Sequence, residues 1–134
     1  MAMEISSTLL AGLLNEAQLS PTREICGLLF GTADRIDTAQ ACPNVAPDPS
    51  RHFEIDPAAL FAAHRAVRTG GTAVIGHYHS HPSGVANPSA RDAEGAMGDD
   101  ALWLIVTAGE ARLWQTRLPG TFVAVEYSAV ATPD

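Results

Sequence analysis

Apolar residues near the N-terminus recur at helical spacing. Ile5, Leu9 and Leu13 form one row and Leu10, Leu14 and Ala17 the adjacent one, which predicts a helix from about Glu4 to Leu19 with a single buried stripe. The run from Glu24 to Phe30 reads as a strand. Arg35 to Ala41 follows the Gly31 turn as a second strand, and the two are expected to pair as a hairpin. Pro43 to Arg51 holds three prolines and is a loop, Phe53 to Ile55 is short and extended, and Pro57 opens a helix running to about Arg68, closed by Gly70-Gly71. Ala73 to Tyr78 is predicted as strand, Ser89 to about Met97 as helix, and Ala101 to Thr107, Arg112 to Arg117 and Thr121 to Tyr127 as strands. Trp103 and Trp114 fall on these last strands and read as core residues, not substrate platforms. The pattern is α/β in the mixed α+β sense, a mixed sheet flanked by helices, and it leaves the strand order open.

The chain has 134 residues, 46% hydrophobic and 17% charged, and contains no long polar low-complexity tract. A single domain spanning 1–134 is expected. At this length folding removes about two-thirds of the unfolded surface, so the core needs neither disulfides nor a structural metal. The two cysteines, Cys26 inside an apolar strand and Cys42 before a Pro-Asn turn, lack Cys-x-x-Cys spacing and read as free thiols. The Leu9–Leu14 run is flanked by Glu4 and Glu16 and has no basic residues before it, unlike a signal peptide. No segment is long enough to span a membrane, and a cytoplasmic location is expected. A net charge of −7 disfavours a nucleic-acid partner, which calls for a Lys/Arg patch, and leaves a protein or peptide substrate as the better fit.

Chemistry concentrates in residues 77–92, His-Tyr-His-Ser-His-Pro-Ser-Gly-Val-Ala-Asn-Pro-Ser-Ala-Arg-Asp. On an extended strand His79 and His81 point to the same face, where two neutral imidazoles can reach one ion, and Asp92 can supply a third, harder ligand. Pro82 stops the strand, Ser83-Gly84 permits a sharp turn, and Ser89 is a natural N-cap with Asp92 three residues on, so the strand end and the helix start are expected to converge. Three protein ligands leave a tetrahedral zinc one position for water, the arrangement of a catalytic site. His77 also lies on that face, but at about 3.3 Å per residue its Cα would stand about 13 Å from that of His81, which makes it pocket wall. His52 and His64 carry no comparable pattern. Taken alone, Ser89 and Asp92 read first as a helix cap, and Glu24 as a solvated edge carboxylate at a strand start.

The His-Ser-His-Pro segment followed by Pro-Ser-Ala-Arg-Asp resembles the His-x-His-Pro and Ser-x-x-Asp motif of JAMM/MPN+ metalloproteases. Pro-Thr-Arg-Glu-Ile-Cys-Gly-Leu-Leu-Phe-Gly at 21–31 is similar to the strand that begins with the catalytic glutamate of that family, and Phe53-Glu54-Ile55-Asp56-Pro57 resembles a strand-to-helix junction of its small prokaryotic members. The resemblance implies the three-layer JAMM/MPN fold, related to that of cytidine deaminases. It further implies His79, His81 and Asp92 as ligands of Zn2+, Glu24 as general base and Ser89 as hydrogen-bond donor to the oxyanion. The family more often carries a bulky aromatic where His77 stands here.

The substrate implied by the same resemblance is a ubiquitin-like or sulfur-carrier protein, cut after its C-terminal Gly-Gly. The carrier, the leaving group and the oligomeric state are not given by it. Two alternatives are a non-catalytic MPN-like interaction module, which would typically lack some of the five motif residues present here, and a RadC-like JAMM protein, which His-Ser-His-Pro-Ser-Gly also resembles.

Overall fold

The computed structural model describes residues 3–131. An eight-stranded mixed sheet is ordered β7-β6-β5-β4-β2-β3-β1-β8. The elements are β1 (Met3–Ser6), α1 (Ser7–Gln18), β2 (Cys26–Gly31), β3 (Arg35–Cys42), α2 (Pro57–Arg68), β4 (Val74–Ser80), α3 (Ala90–Gly95), β5 (Leu102–Val106), β6 (Ala111–Gln115), β7 (Val123–Val125) and β8 (Tyr127–Val130). β4 runs parallel to β5, and β1 parallel to both β3 and β8, while the β2–β3 hairpin and the β2–β4, β5–β6 and β6–β7 pairs are antiparallel.

Residues 4–6 correct the sequence expectation, being strand where a first helical turn is predicted. Met3 and Ile5 alternate inward at 5% and 1% exposure on a strand held between β3 and β8, and Ser6 then caps α1 by accepting the Leu9 N–H at 3.2 Å. The expected strand at 121–127 is likewise divided. Its first part, β7, pairs with β6 at one edge, and after Glu126 the chain continues as β8 beside β1 at the other edge. Met3 N–H donates to the Glu126 carbonyl at 3.0 Å, and Tyr127 OH to the Ala111 carbonyl at 2.6 Å. The sheet therefore curls until its two edges meet at one residue. This closure depends on pairings distant in sequence, which a local hydrophobic pattern does not encode.

One face of the sheet packs on α1, with Leu13 and Ala17 joining Met3, Ile5, Leu29, Ile36, Tyr78, Leu104 and Val106 in the main core. α2 flanks the other face, where its Leu60 and His64 share a groove with Leu28 and His77. β5, Leu-Trp-Leu-Ile-Val, is buried along its whole length, the composition expected of a strand covered on both faces. Gly76 sets the spacing between β4 and β5, because a Cβ there would run into the Leu102 carbonyl oxygen and its backbone. Gly76→Ala is expected to cost about 1–3 kcal/mol through forced separation of these strands. A urea midpoint unchanged from wild type would show that the pair can part freely.

Candidate active site

The site lies where β4 ends. His79 sits on the strand at 0% exposure, paired in register with Cys26 of β2 and Ile105 of β5, and His81 follows immediately after it at 8%. The turn expected at Ser83-Gly84 is present: the Gly84 N–H donates to the His81 carbonyl at 3.0 Å, and Gly84 adopts φ +86°, a conformation that favours glycine. The chain then returns through Ser89, the N-cap of α3. A full capping box forms there, with Ser89 Oγ accepting the Asp92 N–H at 3.0 Å and the Asp92 carboxylate accepting the Ser89 N–H at 2.9 Å. Capping is thus what aims Asp92. The cap reading of Ser89 is met in the structure, and it leaves the exposed hydroxyl its hydrogen to donate.

His79 Nε2, His81 Nε2 and Asp92 Oδ2 form a buried triangle with sides of 3.0, 3.1 and 3.3 Å. Tetrahedral ligands about 2.0–2.1 Å from a zinc ion stand about 3.3 Å from one another, so the triangle matches one face of such a site, and its two imidazoles and one carboxylate are zinc donors. His81 Nδ1 lies 2.8 Å from the Val85 carbonyl, which accepts its N–H and leaves the Nε2 lone pair facing Asp92 and His79. The ring of His79 is fixed by packing instead. Phe53 stacks on it at 4.1 Å between centroids and 18° between planes, and Trp103 meets it edge-on at 5.8 Å.

The same surroundings set protonation. Burial keeps the His79 imidazole neutral by lowering its pKa, only partly offset by Asp92. Burial opposes ionisation of Asp92, but hydrogen bonds with His79 and His81 and from the Ser89 amide outweigh it and hold the carboxyl well below the usual carboxylate range. Burial lowers His81 too, and there the Asp92 and Val85 contacts outweigh it, leaving a net rise.

Glu24, two residues before the β2 strand, presents a carboxylate oxygen within 4.8 Å of the two histidine nitrogens. It is 6% exposed, and its Oε1 is buried without a hydrogen-bond partner. Burial pushes its carboxyl up to about 7, with His81 opposing and Asp92 reinforcing the rise. A carboxyl poised near neutrality can both take and return a proton.

All five residues expected from the sequence therefore meet at one place. His77 does not join them: its Nδ1 is buried and unpartnered, its ring packs on Trp103 at 4.3 Å and on Phe53 at 5.3 Å, and burial lowers its pKa to about 3. Trp103 is buried as expected, and it is at once the wall under His77 and His79. Sequence reasoning missed the Phe53 stack, which depends on where the 43–56 loop folds back.

The Prok-JAB family, the prokaryotic homologs of the JAB domain, matches residues 6–117. The chain belongs to the Prok-JAB family. Among curated relatives, this Prok-JAB protein is 33% identical over 107 residues to a desampylase of Haloferax volcanii, covering 78% of the chain and 77% of the relative. It is 38% identical over 85 residues to a probable TtuB-protein conjugate cleaving protease of Thermus thermophilus, covering 60% of the chain and 57% of that relative. Its fold matches that of a JAB1/MPN domain protein from Archaeoglobus fulgidus with a TM-score of 0.61 at 24% identity, covering 95% of the chain and 98% of the other. It is a small prokaryotic JAMM/MPN+ protein with the three-layer fold, and a hydrolase.

Proposed function

We propose that this chain, acting as one catalytic domain over residues 1–134, is a zinc-dependent peptidase or isopeptidase. It hydrolyses the bond after the C-terminal Gly-Gly of a ubiquitin-like or sulfur-carrier protein. The observation that carries the reading is the buried triangle of His79, His81 and Asp92 with the unpartnered Glu24 carboxylate beside it. The relatives named desampylase and TtuB-protein conjugate cleaving protease support a protein conjugate as the substrate. The net charge of −7 speaks against a nucleic acid, and no helix among the described residues is long and apolar enough to cross a membrane. We place the protein in the cytoplasm, with Cys26 and Cys42 as thiols.

His79, His81 and Asp92 would hold the ion. When bound, zinc supplies the Lewis acidity that brings the pKa of water from 15.7 towards roughly 7 and polarises a carbonyl. Glu24 takes the proton of the attacking water and hands it to the departing nitrogen, which leaves as a neutral amine. The Ser89 hydroxyl donates to the carbonyl oxygen as negative charge develops there. A Gly-Gly tail suits such a site because glycines let a backbone approach closely and pair by main-chain hydrogen bonds.

The test is cleavage of carrier fusions carrying residues beyond Gly-Gly by the zinc-loaded protein, with and without a chelator. Scission after the second glycine, lost on chelation and restored by zinc, is the expected result, and intact fusions across a panel of carriers would sink the substrate assignment. Ser89→Ala is expected to lower kcat by roughly 10²–10³-fold with zinc still bound. It should also cost about 1 kcal/mol of stability from the lost cap. Unimpaired turnover in that variant would return Ser89 to capping alone.

A further inference from the structure

Two groups in the site are aimed without a hydrogen bond at the end that orients them. Glu24 Oε1 and His79 Nδ1 are both buried and unpartnered. What supports them is the hydrogen-bonded main chain on either side of the Glu24 side chain and, for the His79 ring, the packing of Phe53 and Trp103. One side chain reaches both supports. Asn44, half-buried, donates through Nδ2 to the Glu24 carbonyl at 2.9 Å and to the His52 carbonyl at 3.0 Å, while its Oδ1 accepts the Ala46 N–H at 3.0 Å and the Glu54 N–H at 3.1 Å.

The side-chain amide thus uses both donors and both acceptor sites, and it grips the peptides on either side of Phe53. The same loop holds the other end of Glu24, whose N–H donates to the Pro49 carbonyl at 2.7 Å. Ser80, the last residue of β4, completes the bracket. Its Oγ accepts the Ile25 N–H at 2.8 Å, and its own N–H donates to the Ile25 carbonyl at 3.0 Å.

We propose that Asn44 is a positioning residue for the reaction, holding Glu24 and, through Phe53, the His79 ring in register with each other. The assignment rests on the function proposed above. A turn-forming asparagine would need only its Oδ1 bonds to Ala46 and Glu54. The two Nδ2 bonds leave the turn, reaching 20 residues back to Glu24 and across to His52, and they are what ties the loop to the site.

Asn44→Asp separates these roles, because it keeps the acceptor oxygen and turns the two donors into an oxygen facing two carbonyls. The experiment compares wild type, Asn44→Asp and Asn44→Ala for kcat and KM on a carrier fusion, for zinc affinity by chelator competition, and for the visible spectrum of the cobalt-substituted protein. Support for ligands from beyond the metal's own contacts is typically worth 10–100-fold. A loss of about that size in kcat, KM unchanged, with an altered cobalt spectrum in both variants, is expected. Near-UV circular dichroism monitors the fold, and if Asn44→Ala does not fold, Asn44→Asp carries the test.

Wild-type kcat, zinc affinity and cobalt spectrum in Asn44→Asp would overturn the positioning role and leave the function standing. So would a kcat loss with an unchanged cobalt spectrum and a general fall in thermal stability. A wild type that binds no zinc would overturn the proposed function and this role with it.

Discussion

His79→Ala is expected to take the protein from one zinc per chain to none and to bring cleavage down to background, the largest loss from any single side chain here. The imidazole is fully buried, and its Nε2 stands 3.0 Å from His81 Nε2 and 3.3 Å from Asp92 Oδ2, so its removal opens one corner of the triangle. What remains is one imidazole and one carboxylate, too few donors for a three-ligand catalytic zinc site. It also leaves Asp92 with one fewer of the contacts that keep its buried charge tolerable. His77→Phe is the matched control. It lies on the same strand, packs on Trp103 and Phe53, and offers no atom to the triangle, so its zinc content should stay at one per chain. Metal analysis after dialysis reads both variants. A His79→Ala protein that retains a full zinc would move the ligand set elsewhere, and a His77→Phe protein that loses it would bring His77 into that set.

Glu24→Gln should behave in the opposite manner, with zinc kept and turnover lost. The substitution preserves the shape of the side chain and removes only its capacity to carry a proton. General acid–base catalysis contributes roughly 10²–10⁴-fold, and kcat should fall within that range while KM changes little. Burial makes the exchange mild for the fold. A carboxyl already raised to about 7 by desolvation gives up an expensive buried charge when it becomes an amide, so thermal stability should hold or rise. Wild-type kcat in Glu24→Gln would require another proton acceptor. Loss of zinc along with activity would instead make Glu24 a ligand, as its place within 4.8 Å of both histidines permits.

The sequence alone carried the motif residues, because their chemistry is dense and local. His79 and His81 share a face by strand periodicity, Pro82 and Gly84 mark the turn, and Ser89 with Asp92 is a helix start that the structure realises as a capping box. Periodicity also fixed the existence of most elements, from α2 opening at Pro57 to the buried β5 strand, since burying an apolar face on a helix or a strand leaves a period that can be read directly. It failed at residues 4–6, where Ile5 fits a helical row and an inward-facing strand position equally well, and only the parallel partners β3 and β8 decide between them.

Tertiary structure decided what depends on contacts remote in sequence: the closure of the sheet across Glu126, the approach of Glu24 to histidines 55 and more positions away, and the return of the 43–56 loop that puts Phe53 on His79 and Asn44 on the Glu24 carbonyl. Local pattern determines which residues can do the chemistry, because side-chain type and spacing are properties of a few consecutive positions. Their mutual distances are set by the packing of the whole sheet, and a hydrogen bond such as that of Asn44 leaves no period in the chain from which it could be read.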